Sequence, residues 1–515
     1  MTDHWSADQV RAADEALLGC SGNEVVQRLP VNICESLDDW VQRTPDAMAL
    51  KTNAASITYA ALGLDVDRIA DWLHESGGVS AGDRVVLLAD NSPFLVASFF
   101  AIARLDAVAV VVNPRLTDRE VALIVGDAKP KLMLADKTSA EAVAHVDGES
   151  VVQGDLSFEC QRLANEDSAT PPGVVAMIYT TGTTGQPKGV MLTHRNLGFV
   201  AHVSGVLRGI EPGDLVYCVL PMSHVFGLSA VCCSVLMRGG SLRLLARFDA
   251  GLVMEHLAAE PVAGFLGVPT MYALMLETPR AKGFSSDTLR FLFSGGAPLD
   301  PDLKSRIQHV FGQPLHNGFG LTETGPTICQ TRLYAPLSSC AVGFPLPGVD
   351  IEIRDDEDRA VPDGEIGELW VRGPNVMAGY FGQDNLTATV IRDGWFCTGD
   401  LVRIGDDGAI NIAGRRKELI IHSGFNVYPP EVEAVLNAHP AVALSAVVGR
   451  AEEGNETVVA WVQPVAGESL TADALLAFAR PQLAGYKVPG EVNIVTALPT
   501  ASSGKVLKHR LGEGA

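Results

Sequence analysis

The chain has 515 residues, 47% of them hydrophobic and 19% charged, with a net charge of −22. That length exceeds what one hydrophobic core supports, so at least two structural units are expected. The acidic balance excludes non-specific nucleic-acid binding and a polybasic membrane anchor, and any anionic ligand must be held by local cations and backbone dipoles. Residues 1 to about 30 read as a loosely attached arm. MTDHWSADQ shows no basic region followed by an apolar run, so no signal peptide is expected there. From about 30 to 415, β-branched runs alternate with amphipathic segments: RVVLLAD (84–90), AVAVVVN (107–113), VVAMIYT (174–180), SLRLLAR (241–247) and RFLFSGG (290–296). Each is followed within two residues by Gly, Pro, Ser, Asp or Thr, and then by helix-like spacing, which predicts βαβ units and mostly parallel sheets. FLVASFFAIARLDAVAVVVN, broken by Arg104 and Asp106, reads as helix then buried strand rather than a membrane span.

Between 341 and 415 the rhythm changes to strands joined by turns, with DDEDR (355–359) and GDDG (405–408) as hairpin-type turns and a barrel-like arrangement expected. A further unit starts near Gly414, in the order strand (ELIIH), helix (PPEVEAVLNAHP), two strands (VALSAVVG, ETVVAWVQPV), helix (TADALLAFARPQL) and strand (EVNIV). About 100 residues suffice for a small α+β domain. The nine cysteines are scattered, with no CxxC or Cys/His metal spacing. They read as reduced thiols of a cytoplasmic protein.

The densest chemistry lies in YTTGTTGQPKGVMLTH (179–194). Val174 to Thr180 reads as a strand, and Thr193 as the cap of a helix starting at His194. The loop between, TGTTGQPKG, exposes backbone N–H groups because Gly182, Gly185 and Gly189 carry no Cβ. With the hydroxyls and Lys188 it makes a cradle for phosphate oxygens. It is not a Walker loop, since no Ser or Thr follows Lys188, which counts against a phosphoryl-transfer enzyme.

This string resembles the signature of the adenylate-forming superfamily, which includes acyl-CoA synthetases, peptide-synthetase adenylation domains and luciferases. The resemblance spans roughly residues 35 to 511, with every major motif in order. It implies an α/β fold: a large N-terminal domain of two α/β subdomains and a β-barrel-like subdomain (1–416), then a small mobile α+β C-terminal domain (417–515). It further implies ATP, Mg²⁺ and coenzyme A as cofactors, and nucleotide contacts at Thr180, Thr181, Gly182, Thr183, Thr184, Gly185 and Lys188. In NGFGLTETG (317–325) it implies that Asn317, Gly318, Phe319 and Gly320 adjoin the nucleotide, with Phe319 stacking on adenine, Thr322 bonding the α-phosphate and Glu323 holding the metal. The family usually has Tyr where this chain has Phe319. In GWFCTGD, Asp400 would take the ribose hydroxyls, seconded by Arg415. In PMSHVFGL, His224 would sit beside the acyl carboxylate, with Val225, Phe226 and Gly227 lining the acyl pocket. SGGAPLD would contribute Gly295, Gly296 and Ala297 to the pocket wall and adenine site. Lys417 would be the hinge, followed by Glu418 where the family usually has Asp. Ser423, Gly424 and Phe425 would line the thiol channel, and Lys505 would bridge carboxylate and α-phosphate. Lys508 and Arg510 read as ordinary surface or interdomain charges.

The implied activity is activation of a carboxylic acid as its adenylate with pyrophosphate release, then thioester formation with CoA. A ligase that loads the phosphopantetheine arm of a carrier protein, an aryl-acid CoA ligase and a catalytically inert binding protein are the alternatives. HVFGL and SGGAP contain no Lys or Arg, which disfavours an acid with a charged tail; an apolar tail is expected, a medium or long fatty acid first and an aryl-propenoate as the other choice.

Overall fold

The computed structural model describes residues 5–136, 149–153, 156–163, 170–181, 187–422, 425–452, 455–500 and 506–511. Two compact units divide the chain. The first comprises Met1–Gly295, Pro301–Asp350 and Val371–Phe396; the second comprises Gly296–Asp300, Ile351–Trp370 and Cys397–Ala515.

The first unit holds two large sheets. In one, the central strands Val174–Thr181, Val108–Val112, Arg84–Leu88 and Leu132–Asp136 run parallel. The strand Pro187–Thr193 pairs antiparallel with Val174–Thr181, and Gly379–Tyr380 pairs antiparallel with it in turn. In the other, Leu315–Gly320, Phe291–Ser294, Val262–Gly267, Leu215–Cys218, Ser241–Leu244 and Met48–Lys51 run parallel, with Thr327–Gln330 added antiparallel beside Leu315–Gly320. The unbroken apolar runs have a physical reason. Val85 and Leu87 face a core shared by both sheets and the helices Tyr59–Glu75, Pro93–Arg104 and His194–Leu207. Val86 and Leu88 face a second core under the helix Asp118–Ala128. A strand covered on both faces needs no polar alternation. No helix among the described residues is long and apolar enough to cross a membrane.

Two expectations for this unit are corrected. The first 30 residues are not a loose arm. Helix Ala7–Leu18 is capped by Ser6 and sends Asp14 into the protein, where it is 2% exposed. Arg332, 0% exposed, donates from Nε to Asp14 Oδ1 at 2.9 Å and from Nη2 to Oδ2 at 2.8 Å, and Tyr334 donates to Oδ1 at 2.6 Å. The cation that fixes the arm lies more than 300 residues away in sequence, beyond the reach of periodicity. The frame around the Gly/Thr loop is also not strand–loop–helix. Pro187–Thr193 forms a return strand, with Thr180 opposite Lys188 and Tyr179 opposite Gly189. The helix does start at His194, and Thr193 caps it by accepting from the Asn196 N–H at 3.1 Å.

In the second unit Asp400 to Ile404 pair antiparallel with Ile410–Arg415 through the Gly405–Gly408 turn. The DDEDR turn closes an Arg354–Ala360 bridge, with Asp355 accepting from the Arg359 N–H at 2.9 Å. The C-terminal elements follow the order read from the sequence with one strand added, Phe425–Val427, which pairs antiparallel with Ile420–His422: after them come helix Pro429–Asn437, strands Val442–Glu452 and Asn455–Pro464, helix Ala472–Ala479 and strand Glu491–Ile494. Their apolar faces form a separate core around Val432, Leu436, Val447, Ala460 and Leu475. The mixed α/β class, with a large N-terminal and a smaller C-terminal part, is as expected.

Candidate active site

In the first unit the hairpin at 174–193 brings its two strand ends together around the Gly/Thr loop. Gly182, Thr183, Thr184 and Gly185 lie outside the described residues, while Thr180 and Thr181 end the first strand. Gly189 is a strand residue: a Cβ there would meet Met177 Sδ at 2.8 Å and Tyr179 Cζ at 3.1 Å. Its role is close packing, not an exposed N–H. The Lys188 ammonium stands 5.3 Å from the centre of the Tyr380 ring, within cation–π range.

Tyr380 is the residue that sequence reading missed. It is 5% exposed and donates from its hydroxyl to Glu323 Oε1 at 2.8 Å. Burial first, then the charge of Glu323, push the phenol's pKa well above its ordinary value, so it remains a donor. The same segment joins the backbones: the Met377 N–H donates to the Glu323 carbonyl at 2.9 Å, and the Phe381 N–H to the Gly189 carbonyl at 2.8 Å. The Gly/Thr hairpin and the LTETG turn are therefore held together by residues 377–381. Only the GY dipeptide, a very short edge strand, could have signalled this.

Leu315–Gly320 ends in NGFG. Gly320 admits no other residue, because a Cβ would lie 1.7 Å from the Pro326 carbonyl oxygen. Asn317 is buried, with its amide donating to the Cys340 carbonyl at 3.0 Å and its side-chain oxygen accepting from the Gly318 N–H at 3.0 Å. Phe319, Thr322 and Glu323 are half-buried. Neither the Thr322 hydroxyl nor the second Glu323 oxygen has a protein hydrogen bond among the described residues.

His224 heads the segment before the π-type turns of Phe226–Cys233. The buried Asn91 fixes its approach, accepting from the Met222 N–H and donating to the Leu220 carbonyl, both at 2.9 Å. Gly227 is required here, since a Cβ would come within 2.3 Å of the Pro221 carbonyl oxygen. Protein packed around the His224 imidazole lowers its pKa by desolvation. Val225 is buried and Phe226 half-buried, its ring packed against Gly295 at 3.0 Å from where a Cβ would be. These segments carry no Lys or Arg, but a buried cation packs against residues near both of them. Arg208, 3% exposed, stacks 5.1 Å over Phe293 and donates to the Ala230 carbonyl at 2.6 Å.

Within the second unit, Asp400 is 3% exposed and sits opposite Arg415 across a strand pair, with Arg415 Nε 2.9 Å from Asp400 Oδ1. Gly296 is exposed at φ 78° and Ala297 half-buried. Lys417 is exposed between two anchored neighbours. Arg416 pairs with Glu368 at 2.6 Å and Asp356 at 2.7 Å, and Glu418 pairs with Lys508 at 2.9 Å. Lys508 also reaches Glu433 at 2.9 Å, and the two carboxylates raise its pKa against the opposing effect of burial. It is a doubly paired cation, where an ordinary surface or interdomain charge is expected from the sequence. Phe425 is 54% exposed and stacks on Tyr486 at 4.6 Å. Ser423, Gly424 and Lys505 lie outside the described residues.

Residues 37–381 match the family of AMP-binding enzymes, and 431–505 match the AMP-binding enzyme C-terminal domain. The chain is 35% identical over 483 residues to a feruloyl-CoA synthase of an Amycolatopsis species, covering 92% of this chain and 98% of the relative. It is 30% identical over 542 residues to a long-chain-fatty-acid–CoA ligase of Bacillus subtilis, covering 95% and 96%. Among solved structures it is similar to ATP-bound MatB from Rhodopseudomonas palustris, with a TM-score of 0.83 at 31% identity over 94% of this chain and 98% of that one. The o-succinylbenzoate CoA synthetase of Bacillus subtilis gives 0.81 at 29% identity, over 93% and 98%.

Proposed function

Since the chain belongs to the AMP-binding enzyme family and is an AMP-forming acid–CoA ligase, we propose that it works by two half-reactions performed by residues of two alternating arrangements. In the first, a carboxylate oxygen of the acid attacks the α-phosphorus of ATP. The P–O bond to pyrophosphate breaks and an acyl-adenylate forms. In the second, the CoA thiolate attacks the acyl carbon and AMP leaves.

The obstacle in the first step is that an anion must approach a polyanion. Lys188, the loop N–H groups of residues 181–185 and the Thr322 hydroxyl hold phosphate oxygens, and Lys505 bridges the acid and the α-phosphate. The observation that carries this reading is the Lys188–Tyr380–Glu323 arrangement, which joins a cation, a buried donor and a carboxylate at the phosphate-binding edge. The site also suits Mg²⁺. A single carboxylate oxygen free of protein hydrogen bonds is what a hard cation needs when its other positions go to phosphate oxygens and water. Bound there, Mg²⁺ would neutralise phosphate charge. Phe319 stacks on adenine, Asp400 with Arg415 holds the ribose, and His224, Val225, Phe226, Gly227 and Gly295 to Ala297 border the acyl group.

Residues 1–416 and 417–515 act as the two bodies. Lys417 is their pivot, a reading supported by its position between the fixed Arg416 and Glu418. One small body cannot present Lys505 and the thiol channel of Ser423, Gly424 and Phe425 together. The test is a panel of carboxylic acids with ATP, with and without CoA. Release of pyrophosphate and AMP, with acyl-CoA only when CoA is present, is expected. Lys505→Ala should abolish pyrophosphate release and spare thioester formation from supplied acyl-adenylate. Release of ADP, or equal loss of both half-reactions, overturns the reading.

A further inference from the structure

Resting on the acid–CoA ligase reading, we propose that the far end of the acyl pocket is built to grip an oxygen substituent on the tail of the acid, through Gln330, Ser229 and Arg208.

The strand registers put the relevant residues on one face. Phe293 lies beside His316, and Gly318 lies opposite Gln330. Gly295 is two residues beyond Phe293 on the same strand line. Over this face lie Arg208, at the end of the helix His194–Leu207, and the Phe226–Cys233 turns. Arg208 ties the two layers by stacking on Phe293 and donating to Ala230, the residue after Ser229.

Three polar side chains in this layer are buried and incompletely bonded. Gln330 is 0% exposed and neither its amide nitrogen nor its oxygen has a partner; the Ser229 hydroxyl, 0% exposed, has none; Arg208 Nε has none. His316 on the same face differs, being bonded to the Thr331 hydroxyl at 3.1 Å. Among the described residues no carboxylate ion-pairs with Arg208. Burial lowers its pKa only to about 9, so it stays a cation. Buried polar groups are normally bonded, and each exception calls for a cause. Apolar side chains of similar shape would fill this layer at lower cost if the acid were a plain hydrocarbon.

The ligand chemistry follows from these groups. Arg208 Nε–H and the Gln330 amide N–H only donate and the Ser229 hydroxyl can donate, so acceptor oxygen on the tail answers the donors, while the Gln330 side-chain oxygen can take a hydroxyl proton. The flanking Phe226 and Phe293 rings suit a flat tail. Half-buried Phe226 lies between the exposed His224 and the buried Ser229 along the chain.

The experiment measures kcat/KM for pyrophosphate release by the full chain with 3-phenylpropenoate, its 4-hydroxy, 4-methoxy and 4-carboxy derivatives, and octanoate. At least one oxygen-bearing acid should exceed both 3-phenylpropenoate and octanoate by about tenfold or more, because a site built to hydrogen-bond an oxygen rejects the analogue lacking it. The winning substituent identifies whether the oxygen is hydroxyl, ether or carboxylate. Ser229→Ala and Gln330→Met should each shrink that advantage at least about threefold. A best rate with octanoate or the unsubstituted acid overturns the proposal, as does an undiminished advantage in both variants. The wild-type ranking decides even if a variant fails to fold. Equal turnover of every acid refutes this inference alone; no pyrophosphate from any acid refutes the ligase reading with it.

Discussion

At Tyr380 a single hydroxyl joins two phosphate-facing elements, and its removal is the sharpest test of that link. Tyr380→Phe keeps the ring under Lys188 and deletes the bond to Glu323. A hydrogen bond to a charged group is worth about 1.5–3 kcal/mol. Pyrophosphate release should therefore fall by roughly tenfold to a hundredfold. The half-saturating Mg²⁺ concentration should rise as well, which a merely structural tyrosine would not cause. A titration of rate against MgCl₂ reads both. Lys508 makes a similar point: the LKHRL string marks it as one cation among several, and only the fold gives it Glu418 and Glu433 as simultaneous partners.

At the scale of elements, the N-terminal helix and the Gly/Thr hairpin differed most from expectation. Both depend on partners remote in sequence. Residues 1 to about 30 read as a loosely attached arm because the buried carboxylate of helix Ala7–Leu18, Asp14, finds Arg332 across 318 residues. Asp14→Ala leaves a fully buried guanidinium without its counter-ion, so unfolding free energy should fall by about 3–5 kcal/mol. Denaturant titration of the variant against wild type measures it, and a loss below about 1 kcal/mol would mean the arm is dispensable. Pro187–Thr193 was hidden because PKG looks like loop, and its β-branched content is low. Its pairing with Val174–Thr181 and Gly379–Tyr380 supplies what local propensity does not.

For the whole molecule, buried neutral histidine sets an acid limit to stability. His316 is 3% exposed; desolvation first, and nearby Lys304 second, lower its pKa to about 4. The unfolded chain, at an ordinary histidine pKa of about 6.5, binds that proton more readily. Its contribution is thus present above pH 6.5 and lost as pH falls toward 4, at up to roughly 1.4 kcal/mol per unit. Chemical denaturation at pH 7, 6 and 5 should show this slope, and His316→Asn should reduce it. What the sequence by itself determined is the local and the ordered: apolar runs buried on both faces, caps such as Thr193, hairpin turns at DDEDR and GDDG, and motifs whose order names the chemistry. Those signals act within one turn or one strand, so they survive without three-dimensional context. The tertiary structure alone decided that Tyr380 meets Glu323, that Asp14 meets Arg332, and that Arg208 packs on Phe293 and bonds the Ala230 carbonyl. Contacts between residues distant in the chain arise from strand register and helix packing, which no local pattern encodes.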